Sequence, residues 1–316
     1  MASQDTIAAA IESGRKKAEE ILASRSAALE RRAASLAANT KTLALRVHIA
    51  APAAAESVAT LQTAGFLAAA GDSWFDYPFH DVLKILEDDY GYNVESTAHK
   101  GDPIEKMAYH GGQIDGFARK LEKIKAHGAI PKAVLLSGGG DDVAGNEFGM
   151  LLNNAFSPIA GLDKEVVDGV LNERIIAAYA SMLASITASC EKYFSKKLPI
   201  LVHGYDYPVP DGRGFLGGWP FPGPWLDPGF REKNFGDLAP RVRMMKDLMD
   251  QFNEMVASLS GHPGLDHVHY VDLRKTLSNN LVNDDYKAWW ANELHPSDQG
   301  FHAVTKKFAA ALEALP

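Results

Sequence analysis

The chain has 316 residues, 46% of them hydrophobic, 23% charged and 9% aromatic, a balance that belongs to folded globular proteins with a sizeable core rather than to disordered or membrane chains. A formal net charge of −8 argues against the clustered excess of Lys and Arg that phosphate backbones require, so nucleic acid is not an expected partner. The single cysteine, Cys190, excludes an intrachain disulfide and a cysteine-based metal site, and reads as a small buried hydrophobe.

In chain order, Met1–Ala10 lacks the basic start and apolar run of an export signal. No stretch reaches the roughly 18 apolar residues of a membrane span, so a cytoplasmic location is expected. From Ala2 to about Thr42 the sequence is rich in Ala, Glu, Lys and Arg, with only Gly14 against it, and predicts a long helix. Leu22, Leu29, Leu36 and Leu43 recur at heptad spacing, but the companion positions hold Arg25, Arg32 and Asn39, or Ser26, Ala33 and Thr40. Half a coiled-coil seam is present, which suits either a helix packed on its own domain or a homo-oligomer. The segment Ala50–Ala55, with Pro52, reads as a join between an N-terminal helical extension, 1–55, and a domain, 56–316.

Beyond the join the pattern alternates. Strand-like runs at Phe66–Ala70, Tyr92–Thr97, Ala133–Leu136, Ile200–His203 and Val268–Val271 are separated by helical candidates. Those candidates are Phe79–Asp89, Gln113–His127, Lys164–Phe194 and Ala239–Ser260, with Pro296–Leu315 closing the series. This alternation predicts a three-layer α/β/α fold around a mostly parallel five-stranded sheet, whose functional groups gather beyond the carboxyl ends of the strands.

Three blocks sit where such groups are expected: Gly71-Asp72-Ser73-Trp74 after the first strand, Gly138-Gly139-Gly140-Asp141-Asp142 after the third, and Asn292-Glu293-Leu294-His295-Pro296 before the last helix. A serine becomes a useful nucleophile when a base takes its proton, and a parallel sheet can bring an early serine to a late histidine. In their order the blocks resemble the GDSL/SGNH hydrolases, from about Phe66 to the C-terminus. That resemblance implies a flavodoxin-like fold, a serine acyl-enzyme, no cofactor and no metal. It implies Ser73 as nucleophile and His295 as general base, with Ser73 Oγ within hydrogen-bond reach of the imidazole. The oxyanion hole would draw on Ser73, Gly101 and Asp141.

Two positions depart from the family pattern. Asp141 stands where an asparagine side chain donates to the oxyanion, and it serves as a donor only when protonated. Asn292 stands where an aspartate orients the histidine. An amide oxygen accepts the imidazole N–H but carries no charge, and the comparable change in serine proteases costs about 10⁴ in rate. Asn292 is preferred to Glu293 as the orienting group. Candidate substrate contacts are Trp74, Asp142 and Tyr205, together with Trp219 and Trp225 from a loop that runs from His203 to Phe235. That loop is crowded with Gly, Pro and aromatic residues, including Phe215, Phe221 and Phe230. The expected activity is hydrolysis of a small-molecule or lipid acyl ester. The alternative is a binding protein that keeps the pocket while Asp141 and Asn292 mark lost catalysis.

Overall fold

The computed structural model of the protein describes residues 4–44 and 63–315, so the join expected at 50–55 and the side chain of Leu43 lie outside the described residues. A long helix, α1 (Gln4–Ala44), precedes the first strand, β1 (Gly65–Ala70). Helix α2 (Val82–Asp88) leads to β2 (Tyr92–Ser96), and α3 (Ile104–Tyr109) and α4 (Gly112–Ala126) lead to β3 (Ala133–Leu136). Next come α5 (Gly140–Val143), a two-residue antiparallel pair formed by β4 (Leu152–Asn153) and β5 (Gly161–Leu162), then α6 (Lys164–Gly169) and α7 (Ile176–Phe194). After β6 (Ile200–His203) the chain forms α8 (Asp227–Glu232) and α9 (Leu238–Ser260), and after β7 (Val268–Val271) it forms α10 (Tyr286–Trp289) and α11 (Asp298–Glu313). The helix expected over Lys164–Phe194 is helical throughout, with a π-helical stretch, Val170–Ile175, joining α6 to α7.

Strands β2-β1-β3-β6-β7 form one sheet in that order, every pair parallel. Leu67–Ala70, Ala133–Leu136 and Ile200–His203 are buried throughout. They show no alternation because helices cover both faces: α2 and α11 pack together on one, and α4, α7 and α9 on the other. The fold is a three-layer α/β/α sandwich with the strand order of a flavodoxin-like sheet. That order reverses between β1 and β3, so a crevice opens there at the carboxyl ends of the strands. The turn that leaves β1 carries Ser73, and α5, which follows β3, carries Asp141.

Helix α1 adds an outer layer against α7 and α4. Its buried positions are Ile7, Ala10, Gly14, Ala18, Leu22 and Arg25, a stripe of three- and four-residue steps. The Gly14 carbonyl accepts from Ser185 Oγ at 2.8 Å, and a Cβ at Gly14 would fall 2.1 Å from the Ser181 carbonyl oxygen. Arg25 forks onto Glu122 at 3.0 and 2.6 Å. Of the heptad leucines, Leu22 is buried while Leu29 and Leu36 are 37% and 57% exposed. The face that packs on the domain therefore follows the helical period and not the heptad.

Candidate active site

Strand β1 delivers the chain into a turn held from three sides. The buried Asp72 carboxylate accepts from the Trp74 N–H at 3.0 Å and from Ser137 Oγ at 2.6 Å through Oδ1, and from the Tyr205 hydroxyl through Oδ2. Gln113, at the start of α4, accepts from the Gly71 N–H at 3.3 Å and donates to the Gly71 carbonyl at 3.1 Å and to Asp102 at 2.9 Å. It thereby ties the Ser73 turn to the loop that carries Gly101. Ser73 is left on the sheet edge with its hydroxyl facing the last loop of the chain.

His295 Nε2 lies 2.8 Å from Ser73 Oγ, and His295 Nδ1 lies 3.0 Å from Asn292 Oδ1. The amide orientation of Asn292 follows from its neighbours. Oδ1 accepts from the backbone N–H groups of Leu294 and His295 at 3.0 and 2.9 Å, while Nδ2 donates to the Tyr77 hydroxyl at 3.1 Å. With an acceptor facing Nδ1, that nitrogen holds the proton and Nε2 presents a lone pair to Ser73. The imidazole is only 6% exposed, and burial pushes its pKa down to about 3, so at ordinary pH it is neutral, with the Nε2 lone pair free to take a proton. The Tyr77 ring stacks on it at 4.4 Å, and Trp225 meets it edge-on at 5.6 Å.

Glu293 faces away from the imidazole. Its buried carboxylate accepts from the Gly212 and Asp227 N–H groups through Oε1, both at 3.0 Å, and from Trp225 and Leu226 through Oε2 at 2.7 and 2.8 Å. Burial raises its pKa while these four N–H groups lower it. Its own N–H donates to the Arg213 carbonyl at 3.2 Å. Asn292 therefore faces His295, and Glu293 seats the aromatic loop.

The backbone N–H groups of Ser73 and Gly101 bond to nothing among the described residues. Gly101 sits in the left-handed region at φ 78°, where a side chain would be strained. Both residues line one cavity with Asp141 and His295. The Asp141 carboxyl makes no hydrogen bond among the described residues, and its pKa is pushed up to about 7 by burial first and then by Asp72, Asp142 and Asp102. Below that pH it carries a proton to donate. Asp142 turns elsewhere: it accepts from the Ile104 and Glu105 N–H groups at 2.7 and 3.4 Å and caps α3.

The cavity measures about 340 Å³, and its walls are Tyr77, Pro78, Phe215, Phe221, Pro222, Trp225 and Leu294, with Lys100 the one Lys or Arg among its lining residues. A second cavity of about 40 Å³ shares Ser73, Asp141 and Leu294 with it, and continues between Trp74, Val143, Tyr205, Leu226, Met245 and Met249. Of the expected substrate contacts, Trp225 lines the large cavity, while Trp74 and Tyr205 border only the small one. Trp74 is 3% exposed and bonds the Leu294 carbonyl at 3.1 Å, and Tyr205 supports Asp72 and the Gly140 N–H, so packing claims most of each ring. Trp219 is 94% exposed at the loop tip and lines neither cavity by Ser73, and Asp142 is committed to its helix cap.

Tyr77 and Gln113 carry much of this geometry and bear no motif in the sequence. Tyr77 could have been suspected only from its place four residues after Ser73. Phe215 and Phe221 belong to the crowded loop, but nothing in the order of its aromatics separates them from Trp219. Among the described residues no three His, Cys, Asp or Glu side chains are grouped to hold a metal ion, and no described helix is long and apolar enough to cross a membrane.

Solved structures of GDSL-like lipases and esterases resemble this chain. A lipase from a goat rumen metagenome aligns at 14% identity over 78% of this chain and 97% of that one, with a TM-score of 0.49. An acetylxylan esterase from Geobacillus stearothermophilus aligns at 15% identity over 79% and 94%, with a TM-score of 0.42. A GDSL-like lipase from Bacteroides thetaiotaomicron aligns at 11% over 78% and 87%, with a TM-score of 0.37. No protein-family model and no curated protein matches the sequence. At this distance the roles of residues are read from the chain's own geometry.

Proposed function

We propose that the protein is a carboxylic ester hydrolase acting through a serine acyl-enzyme. The observation that carries this reading is the relay Asn292 Oδ1, His295, Ser73 Oγ, with spacings of 3.0 and 2.8 Å, beside two unbonded N–H groups in an apolar cavity. Ser73 Oγ attacks the ester carbonyl carbon as His295 Nε2 takes its proton. The carbonyl oxygen gathers negative charge against the Ser73 and Gly101 N–H groups and the protonated Asp141, a preorganised set of donors. As the carbon–oxygen bond breaks, Nε2 returns the proton to the departing alcohol. Water then attacks the acyl-serine by the same route and releases the acid.

The imidazolium formed midway has no carboxylate partner. Asn292 offers an amide dipole and Tyr77 the face of its ring, which attracts a cation. Generic esters should accordingly turn over more slowly than in a site with a charged third member. An organophosphonate probe should label Ser73 and no other serine, and Ser73→Ala should abolish hydrolysis of p-nitrophenyl acetate. Labelling elsewhere, or undiminished hydrolysis by Ser73→Ala, rejects the assignment. A pocket that binds esters without labelling or turnover would favour the binding-protein alternative.

A further inference from the structure

The two cavities on either side of Ser73 differ in size by nearly an order of magnitude, about 340 against about 40 Å³. Serine ester hydrolysis, the reading on which this inference rests, dictates which half of the ester each must take. The alcohol departs from beside His295 Nε2, because that nitrogen returns the proton to it, and His295 lines only the large cavity. The acyl group stays on Ser73 Oγ and points away from the base. On that side lies the small cavity, which shares Ser73 and Asp141 but contains neither His295 nor Gly101.

We propose that the protein selects acetyl-sized esters of bulky apolar alcohols. The acyl methyl enters the space bounded by Trp74, Val143, Leu226, Met245 and Met249, and the alcohol lies among Tyr77, Phe215, Phe221 and Trp225. At about 40 Å³ against about 340 Å³, the small cavity has far less room than the large one, so it takes the shorter half of the ester. Helix α9 supplies Met245 and Met249, α5 supplies Val143, and the loops beyond the sheet edge supply Trp74 and Leu226, so deepening the cavity requires a core rearrangement. The large cavity favours aryl and alkyl alcohols over sugars for a different reason. Tyr77, Pro78, Phe215, Phe221, Pro222, Trp225 and Leu294 make most of its wall, and the polar groups a sugar could meet there besides the reacting residues are few, the Lys100 ammonium, the Trp225 indole N–H and the Tyr77 hydroxyl, so most hydroxyls of a sugar would lose water without replacement.

Two ester series measured on the full chain separate the halves. With p-nitrophenol held as leaving group, kcat/KM should fall by roughly tenfold or more from acetate to butyrate, and further to octanoate. With acetate held as acyl group, benzyl acetate should exceed both ethyl acetate and an acetylated xyloside by roughly tenfold. Met249→Ala should raise the butyrate-to-acetate ratio by about tenfold. Val143→Ala, from a different element, should move that ratio in the same direction, and Phe221→Ala should lower the benzyl-to-ethyl ratio. A rate that rises with acyl length overturns the proposal, as does an unchanged ratio in both cavity variants when circular dichroism shows them folded. Ser73 that takes the phosphonate label while selectivity runs the other way sinks only this inference, whereas Ser73 that takes no label sinks the hydrolase reading with it.

Discussion

At the scale of single residues, the site depends on two groups whose protonation is set by burial in opposite directions. His295 loses solvent without gaining a carboxylate, so its pKa falls to about 3. Asp141 loses solvent among three other acids, so its pKa rises to about 7. In the proposed reaction the productive pair is neutral imidazole with protonated carboxyl, and it exists between those two values. Hydrolysis of a soluble acetate ester should therefore hold a plateau in mild acid and decline as pH rises through about 7, as Asp141 ionises and repels the developing oxyanion. Esterases with a carboxylate behind the histidine should fail on the acid side instead, where the base is protonated. Asp141→Asn should remove the decline by supplying an uncharged donor at every pH. A native profile that rises through pH 7, or a variant with the same alkaline limb, would show that Asp141 is not the titrating donor.

At the scale of elements, the segment 212–227 is a strap that crosses the site, and Glu293 is where it is fastened. Each carboxylate oxygen takes two backbone N–H groups from the strap. Arg213 reaches back to the Trp290 carbonyl at 2.8 Å, so the attachment runs both ways. Glu293→Gln keeps the shape but turns one acceptor into an NH2 group that faces two other N–H groups. Buried mismatches of this kind cost about 1–3 kcal/mol each, so the variant, with two of them, should lose about 2–6 kcal/mol of stability. Trp225 and Phe221 ride on the strap, so KM for benzyl acetate should rise more than kcat falls, with ethyl acetate less affected. Denaturant unfolding and steady-state kinetics read the two effects, and a variant unchanged in both would mean that the strap is held elsewhere. Reading along the chain, Asn292 and Glu293 were both candidates to face His295. The choice between them was made by a turn in which Asn292 Oδ1 collects the next two N–H groups.

At the scale of the whole molecule, α1 behaves as part of the domain's packing. Its contact with α7 is close because Gly14 has no side chain: the Ser181 carbonyl occupies the place of a Cβ. Gly14→Leu should force the helices apart and lower stability by about 1–3 kcal/mol, as overpacking does, visible as a lower thermal midpoint. No residue of α1 lines either cavity by Ser73, so kcat on p-nitrophenyl acetate should stay near that of the parent. A midpoint unchanged by this substitution would show that α1 contributes nothing to the folded domain.

Much of this architecture was legible in the linear sequence. Buried parallel strands need unbroken apolar runs and their crossover helices need amphipathic ones, so the positions of all five strands and the alternation around them are local signals. The order of the Ser73, Asp141 and His295 blocks placed them on one edge because a parallel sheet sends every strand end the same way. The packing face of α1 was harder to read, since the leucine heptad and the Ile7–Arg25 stripe both fit a helix, and only the presence of α7 selected between them. The loop aromatics had no local pattern at all: Trp225 faces the cavity and Trp219, at the loop tip, faces solvent because Glu293, nearly seventy residues beyond Trp225, holds both ends of the strap. Burial also decided the two protonation states, since a carboxyl or imidazole takes its pKa from the solvent it loses and the charges that surround it, and both are properties of the folded chain.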